Sequence, residues 1–118
     1  MGVNVMSTAP IALSEADWSR RVVDTALLFG WRYAHARPAR TSKGWRTAYS
    51  GHGGFPDLVL LRPPRLLVVE LKRDGARPTD EQSEWLRQFA AVPCVESYTW
   101  TPSDWKAVYL CLAKESLA

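Results

Sequence analysis

The chain has 118 residues, the length of about one domain, with 47% hydrophobic and 23% charged residues and a formal net charge of +3. No apolar run approaches the ~20 residues of a membrane-spanning helix. The two cysteines, Cys94 and Cys111, have neither a Cys-x-x-Cys spacing nor a Cys/His partner set, which argues against zinc, iron–sulfur and thioredoxin-type chemistry; they read as small buried hydrophobes in a reducing compartment.

Residues 1–13 read as a leader without the basic start and long apolar stretch of a secretory signal. Met6 stands where a myristoylation motif requires Ser or Thr. The expectation is a cytoplasmic protein with residues 14–118 as a single domain. Ser14 followed by Asp17 marks a helix start, and the helix is expected to reach Phe29. Within it Trp18, Val22, Val23, Ala26 and Leu27 form one apolar stripe, with Arg20, Arg21 and Asp24 on the other side. Glu15 lies two turns before Val22, in line with that stripe, and is expected to point toward whatever the helix covers.

Gly30 stops the helix, and 31–37 reads as a strand. Pro38 opens a polar, glycine-rich loop over 40–54. Between Asp24 and Asp57 there is no acidic residue, while Arg32, Arg37, Arg40, Lys43 and Arg46 lie there with His35 and His52. Without those five cations the chain holds ten Lys and Arg against twelve Asp and Glu, so the positive charge is local. Trp31, Tyr33, Trp45 and Tyr49 are interleaved with it. Guanidinium groups beside aromatic rings are the composition of a nucleic-acid surface, and a solvated basic loop is the plainer reading.

Strands are expected over 55–61 and 66–72, joined as a hairpin by Arg62-Pro63-Pro64-Arg65. Thr79-Asp80-Glu81-Gln82 is a capping box whose helix runs to Ala91 and turns Trp85, Leu86 and Phe89 inward. A fourth strand follows over 94–100. Thr101-Pro102-Ser103-Asp104 then caps a last helix that buries Trp105, Val108, Tyr109 and Leu112. The order α-β-β-β-α-β-α predicts an α/β fold, a mixed sheet flanked by helices.

The chemistry concentrates in Gly54-Phe55-Pro56-Asp57 and Glu70-Leu71-Lys72. A period of two puts Val68, Glu70 and Lys72 on one face of their strand and the apolar Leu67, Val69 and Leu71 on the other. Burying a Glu and a Lys there is costly unless they pair or bind something. Hairpin pairing brings Asp57 beside Glu70, and two close carboxylates repel unless a cation lies between them. Oxygen ligands without His or Cys favour magnesium or manganese. A lysine beside such an ion, at the edge of a basic surface, is equipment for phosphodiester hydrolysis.

Each of these residues also has an ordinary structural role. Asp57 can be a turn residue after Pro56, Glu70 and Lys72 a strand-end ion pair, and Glu15 a partner of the helix dipole. Gln82 can serve as the capping-box partner alone, and His35 and His52 as structural histidines.

The Pro-Asp…Glu-x-Lys pattern resembles the core of the PD-(D/E)xK nuclease superfamily. The fuller set resembles its VRR-NUC branch, known for structure-specific and junction-cleaving nucleases, often phage-encoded. That set is Glu15 in the first helix, Gly51-His52-Gly53-Gly54-Phe55-Pro56-Asp57, Glu70-Leu71-Lys72, and Thr79-x-x-Gln82 opening the next helix. The resemblance covers 14–100 and implies a restriction-endonuclease-like α-β-β-β-α-β core, with one C-terminal helix added here. It implies Asp57, Glu70 and the backbone carbonyl of Leu71 as metal ligands, with Glu15 as a further one. Lys72 would activate or position the water, and Gln82 would orient Lys72 or the water.

The implied cofactor is Mg2+, with Mn2+ able to substitute. The implied activity is that of a Mg-dependent endodeoxyribonuclease on four-way (Holliday) junctions or other branched DNA. A homodimer is expected because symmetric incision needs two active sites, with the loop over 40–54 and the last helix as its candidate surfaces. Arg37, Arg40, Lys43, Trp45, Arg46 and His52 are the expected DNA-binding residues. The alternatives are an endonuclease on ordinary duplex DNA and a non-catalytic DNA-binding module of nuclease fold. A helix that reads base edges is disfavoured, since none of the helices is basic enough on one face.

Overall fold

The computed structural model describes residues 12–36, 39–41, 44–46 and 50–115. Ser14 caps α1 (Glu15–Leu28) by accepting the Asp17 N–H at 3.1 Å. Trp18, Val22 and Ala26, one helical turn apart, are fully buried and Val23 nearly so, so these form the packed face, whereas Leu27 of the expected stripe is 52% exposed. Gly30, at φ 85°, takes the left-handed turn that leads out of the helix into β1 (Arg32–His35).

β2 (Ala39–Thr41) and β3 (Gly44–Arg46) pair antiparallel as a separate two-stranded sheet. The loop expected over 40–54 is therefore partly strand. Strands this short offer too few alternations for a period of two to register in sequence. Arg40, Trp45 and Arg46 fall on these strands, whereas Arg37 and Lys43 lie outside the described residues.

β4 (Leu58–Arg62) and β5 (Arg65–Leu71) form the expected hairpin, in register from Leu58↔Val69 to Arg62↔Arg65. The first of these strands begins at Leu58, after the residues Phe55 to Asp57 that sequence reading assigned to it. β1 adds antiparallel to β4, and β6 (Val95–Trp100) adds parallel to β5, giving the order β1-β4-β5-β6. A parallel neighbour requires a crossover, and α2 (Asp80–Ala90) supplies it. Its capping box is complete: Thr79 Oγ1 accepts the Gln82 N–H at 3.2 Å, and Gln82 Oε1 accepts the Thr79 N–H at 2.8 Å. A 3-10 turn, Pro102–Asp104, leads into α3 (Trp105–Ala113). This is the expected restriction-endonuclease-like α/β arrangement: a four-stranded mixed sheet flanked by helices, with a C-terminal helix.

α1 and α3 cover one face of the sheet, where Trp18, Val22, Ala26, Val108 and Leu112 meet Leu58, Leu60, Leu67, Val69 and Leu71. α2 covers the other, and there Ser97 Oγ donates to the Leu86 carbonyl at 2.8 Å. Both faces of β5 are thus buried, and Glu70 is taken out of water together with Val68.

Three expectations need correction. Glu15 is exposed, because the first turn of α1 stands beyond the packed face that starts at Trp18. Tyr109 is 43% exposed: it flanks the buried row of Val108 and Leu112 and meets Phe29 edge-on at 5.2 Å. Neither cysteine is fully buried; Cys94 is exposed at φ 70° before β6, Cys111 is half-buried, and both are free thiols.

The hairpin end of the sheet holds two arginines that sequence reading passed over as connection. Arg65 is buried and donates to both carboxylate oxygens of Glu96 at 2.7 and 2.6 Å. Its Nη1 also donates to the Cys111 and Lys114 carbonyls at 2.7 and 2.6 Å. Arg62 lies over the Trp31 ring at 4.4 Å and donates to the carbonyls of Phe29, Leu112 and Lys114. Helix C-termini leave carbonyls without partners, and these guanidinium groups satisfy those of α3 and fasten it to the sheet.

Candidate active site

β5 carries Glu70 to the end of the sheet at which β4 begins. One step beyond the Leu58↔Val69 pair, Asp57 Oδ2 accepts the Leu71 N–H at 3.0 Å, so a side chain continues the ladder where the strand stops. On the other side, the Trp100 carbonyl accepts both the Lys72 N–H and the Trp18 indole N–H, each at 3.0 Å. The strand end that bears Glu70 and Lys72 is therefore held from both neighbours.

Glu70 is 1% exposed, and neither of its carboxylate oxygens accepts a hydrogen bond from the described residues. Lys72 Nζ stands 3.3 Å from Glu70 Oε2, close enough for attraction but without a directed hydrogen bond. Burial first, and the Asp57 carboxylate second, push the Glu70 pKa up to about 8, against the opposing pull of Lys72. A buried carboxylate with no hydrogen bond is costly. Here it faces a second carboxylate, with one ammonium alongside. A cation beside these oxygens reverses that cost, and an oxygen-only donor set suits a hard divalent ion such as Mg2+ or Mn2+. The residues present fit such an ion. Among the described residues no three His, Cys, Asp or Glu side chains gather into one group, so Asp57 and Glu70 stand as a pair.

Gln82 begins α2 half-buried, and its Oε1 is already taken by the Thr79 N–H, which leaves its amide nitrogen as the group it can offer. Glu15 lies one turn before Trp18, whose bond to Trp100 places the start of α1 at this end of the sheet. It does not join the carboxylate pair. His52 is exposed in the glycine-rich run, where it lines a cavity of about 280 Å³ with Gly53, Glu81, Glu84, Trp85 and Gln88.

Sequence reasoning did not assign Gly54 or the Trp85 indole N–H to this region's geometry. Gly54 adopts φ 85°, and a Cβ there would lie 2.7 Å from the Glu81 carbonyl carbon and 2.8 Å from the Gln82 nitrogen. Trp85 Nε1 donates to the Gly53 carbonyl at 2.9 Å. Phe55 meets Trp85 edge-on at 5.1 Å and Phe89 at 6.1 Å. The Gly53-Gly54 doublet is the trace of this close approach in the sequence.

A mixed sheet with Asp57, Glu70 and Lys72 gathered at one end is the architecture of a PD-(D/E)xK nuclease-type domain. The family model described as the VRR-NUC domain matches residues 16–96, and the chain belongs to that family. The match takes in α1 from its second residue and the Asp57–Glu70–Lys72 group and ends within β6, so Glu15 and α3 lie outside it. No curated protein matches the chain. It is a nuclease domain, a class that acts on DNA. Among the described residues, no helix is long and apolar enough to cross a membrane.

Proposed function

We propose that this chain is a magnesium-dependent endodeoxyribonuclease that hydrolyses phosphodiester bonds in branched DNA, four-way junctions foremost. The observation that carries the reading is the Glu70 carboxylate, buried beside Asp57 and Lys72 with no hydrogen bond from the described residues. Such an arrangement is unfavourable as it stands and becomes favourable when a divalent cation is bound.

Asp57, Glu70 and the Leu71 carbonyl would hold the ion. When bound, it supplies Lewis-acid polarisation of the phosphate and acidifies water. Lys72 places its ammonium beside the same carboxylate, where it neutralises charge developing on a phosphoryl oxygen or orients the attacking water. Gln82 contributes through its amide nitrogen, as a donor to the water. Glu15 acts from the start of α1, through water. Burial of Glu70 between the sheet and α2 keeps competing hydrogen-bond donors away from its oxygens.

The basic run supplies the DNA surface: Arg37, Arg40, Lys43 and Arg46 to phosphates, Trp45 to a base, and His52 beside the approach to Asp57. The preference for branched DNA rests on the resemblance of the motif set to junction-cleaving VRR-NUC nucleases. A homodimer supplies the two sites that symmetric incision requires. Residues 14–118 work as one cytoplasmic nuclease domain.

Cleavage of labelled four-way junction, flap and linear duplex DNA in magnesium tests this reading. Faster cutting of the junction supports it, and equal cutting of the duplex makes the protein a general endonuclease. Tight junction binding with no cleavage in magnesium or manganese makes it a binding module and removes the catalytic roles. A monomeric mass by light scattering at micromolar concentration removes the dimer.

A further inference from the structure

Asp57 has no strand of its own on its N-terminal side. Its carbonyl accepts the Ala36 N–H at 2.9 Å and its carboxylate the Leu71 N–H, and on its N-terminal side it is reached through the segment Gly53 to Pro56. That segment is seated on α2 by three separate contacts. The Trp85 indole N–H holds the Gly53 carbonyl at 2.9 Å. The Phe55 ring is clamped edge-on by Trp85 and Phe89, which stack on each other at 5.7 Å. Gly54 lies so close to the first turn of α2 that a Cβ would sit 2.7 Å from backbone, at a φ of 85° that side chains rarely adopt. Pro56, the last residue before Asp57, is buried and has a restricted backbone.

We infer that Trp85 and Gly54 are positioning residues for the Asp57 carboxylate: α2 sets the height at which Asp57 stands opposite Glu70, through the Gly53–Phe55 seat. This rests on the reading of Asp57 and Glu70 as the metal-holding pair. Groups that orient a ligand are felt in metal affinity, because the cation requires both carboxylates in one geometry. α2 thereby joins the site through its first two turns, and not through Gln82 alone.

The test compares two chemically matched substitutions. Trp85→Phe keeps a ring against Phe55 and Phe89 and removes the N–H to Gly53. Trp31→Phe removes an equivalent bond, from the Trp31 indole to the Leu112 carbonyl at 2.9 Å, at the opposite end of the sheet. Mn2+ binding to wild type, Trp85→Phe, Gly54→Ala and Trp31→Phe is measured by calorimetry, with urea unfolding of each protein.

Trp85→Phe and Gly54→Ala are expected to bind Mn2+ about 10-fold or more weakly. Trp31→Phe is expected to lose stability and keep the wild-type affinity. In cleavage assays, raised magnesium should restore the kcat of Trp85→Phe with KM for DNA unchanged. Where Gly54→Ala fails to fold, Trp85→Phe decides alone. Wild-type affinity in Trp85→Phe, or an equal loss in Trp31→Phe, overturns the positioning role and leaves the metal reading standing. A wild type that binds no Mn2+ overturns the metal reading, and the positioning role falls with it.

Discussion

Asp57 Oδ2 accepts the amide hydrogen of Leu71 at 3.0 Å, so one acid of the site is fixed by the strand that carries the other. An Asn at this position retains an oxygen that can accept the same hydrogen and removes one of two like charges. Asp57→Asn is therefore expected to keep or raise the stability of the metal-free protein at pH 8. It should also abolish the stabilisation expected from magnesium, about 2.7 kcal/mol at 100 times Kd in wild type. Asp57→Ala, which leaves the Leu71 N–H unpaired, should lose about 1–3 kcal/mol. Urea unfolding with and without magnesium separates the three proteins.

The Glu70 carboxyl, raised from 4.5 to about 8 chiefly by burial, makes metal-free stability depend on pH. Between these values the folded protein holds a proton that the unfolded chain has released. Stability accordingly falls as pH rises through this window, by at most about 1.4 kcal/mol per pH unit. Metal binding must displace the same proton, so Mn2+ affinity should rise with pH and level off above about 8. Urea midpoints across the window, compared with Glu70→Gln, check the sign. An equally steep fall in Glu70→Gln would assign the dependence to another group.

The Asp57–Glu70–Lys72 end of the sheet was legible because its signals are local. A period of two places Glu70 and Lys72 together, the hairpin brings Asp57 opposite, and Thr79-x-x-Gln82 is a cap whose two hydrogen bonds span three residues. The contacts that escaped sequence reading join distant residues. Arg65 meets Glu96 from the next strand but reads locally as half of a polar turn. The Trp85 indole finds a backbone carbonyl, which carries no residue code. Glu15 shares the direction of the apolar stripe, but direction alone does not tell whether the sheet extends beneath it; the packed face begins a turn later.

The Arg65–Glu96 pair is nearly dry, its side chains 3% and 6% exposed, with the Tyr98 hydroxyl donating to the same carboxylate at 2.6 Å. Removing one partner leaves a buried charge uncompensated. Glu96→Ala is expected to destabilise the fold by about 3–5 kcal/mol. Because the pair sits at the hairpin end of β5, away from Glu70, Mn2+ affinity of the folded variant should match wild type. Denaturant unfolding and calorimetry on the same preparation test both halves of this expectation.

Single-turnover cleavage of a labelled four-way junction by wild type and Lys72→Ala, each with magnesium and with EDTA, tests the Asp57–Glu70–Lys72 site most directly. Wild type should cut with magnesium and not with EDTA. Lys72→Ala should still bind the junction but cut it about 10²–10³-fold more slowly. Wild-type cleavage undiminished by EDTA, or Lys72→Ala cutting at the wild-type rate, would contradict the assignment of these residues as a metal-dependent nuclease centre.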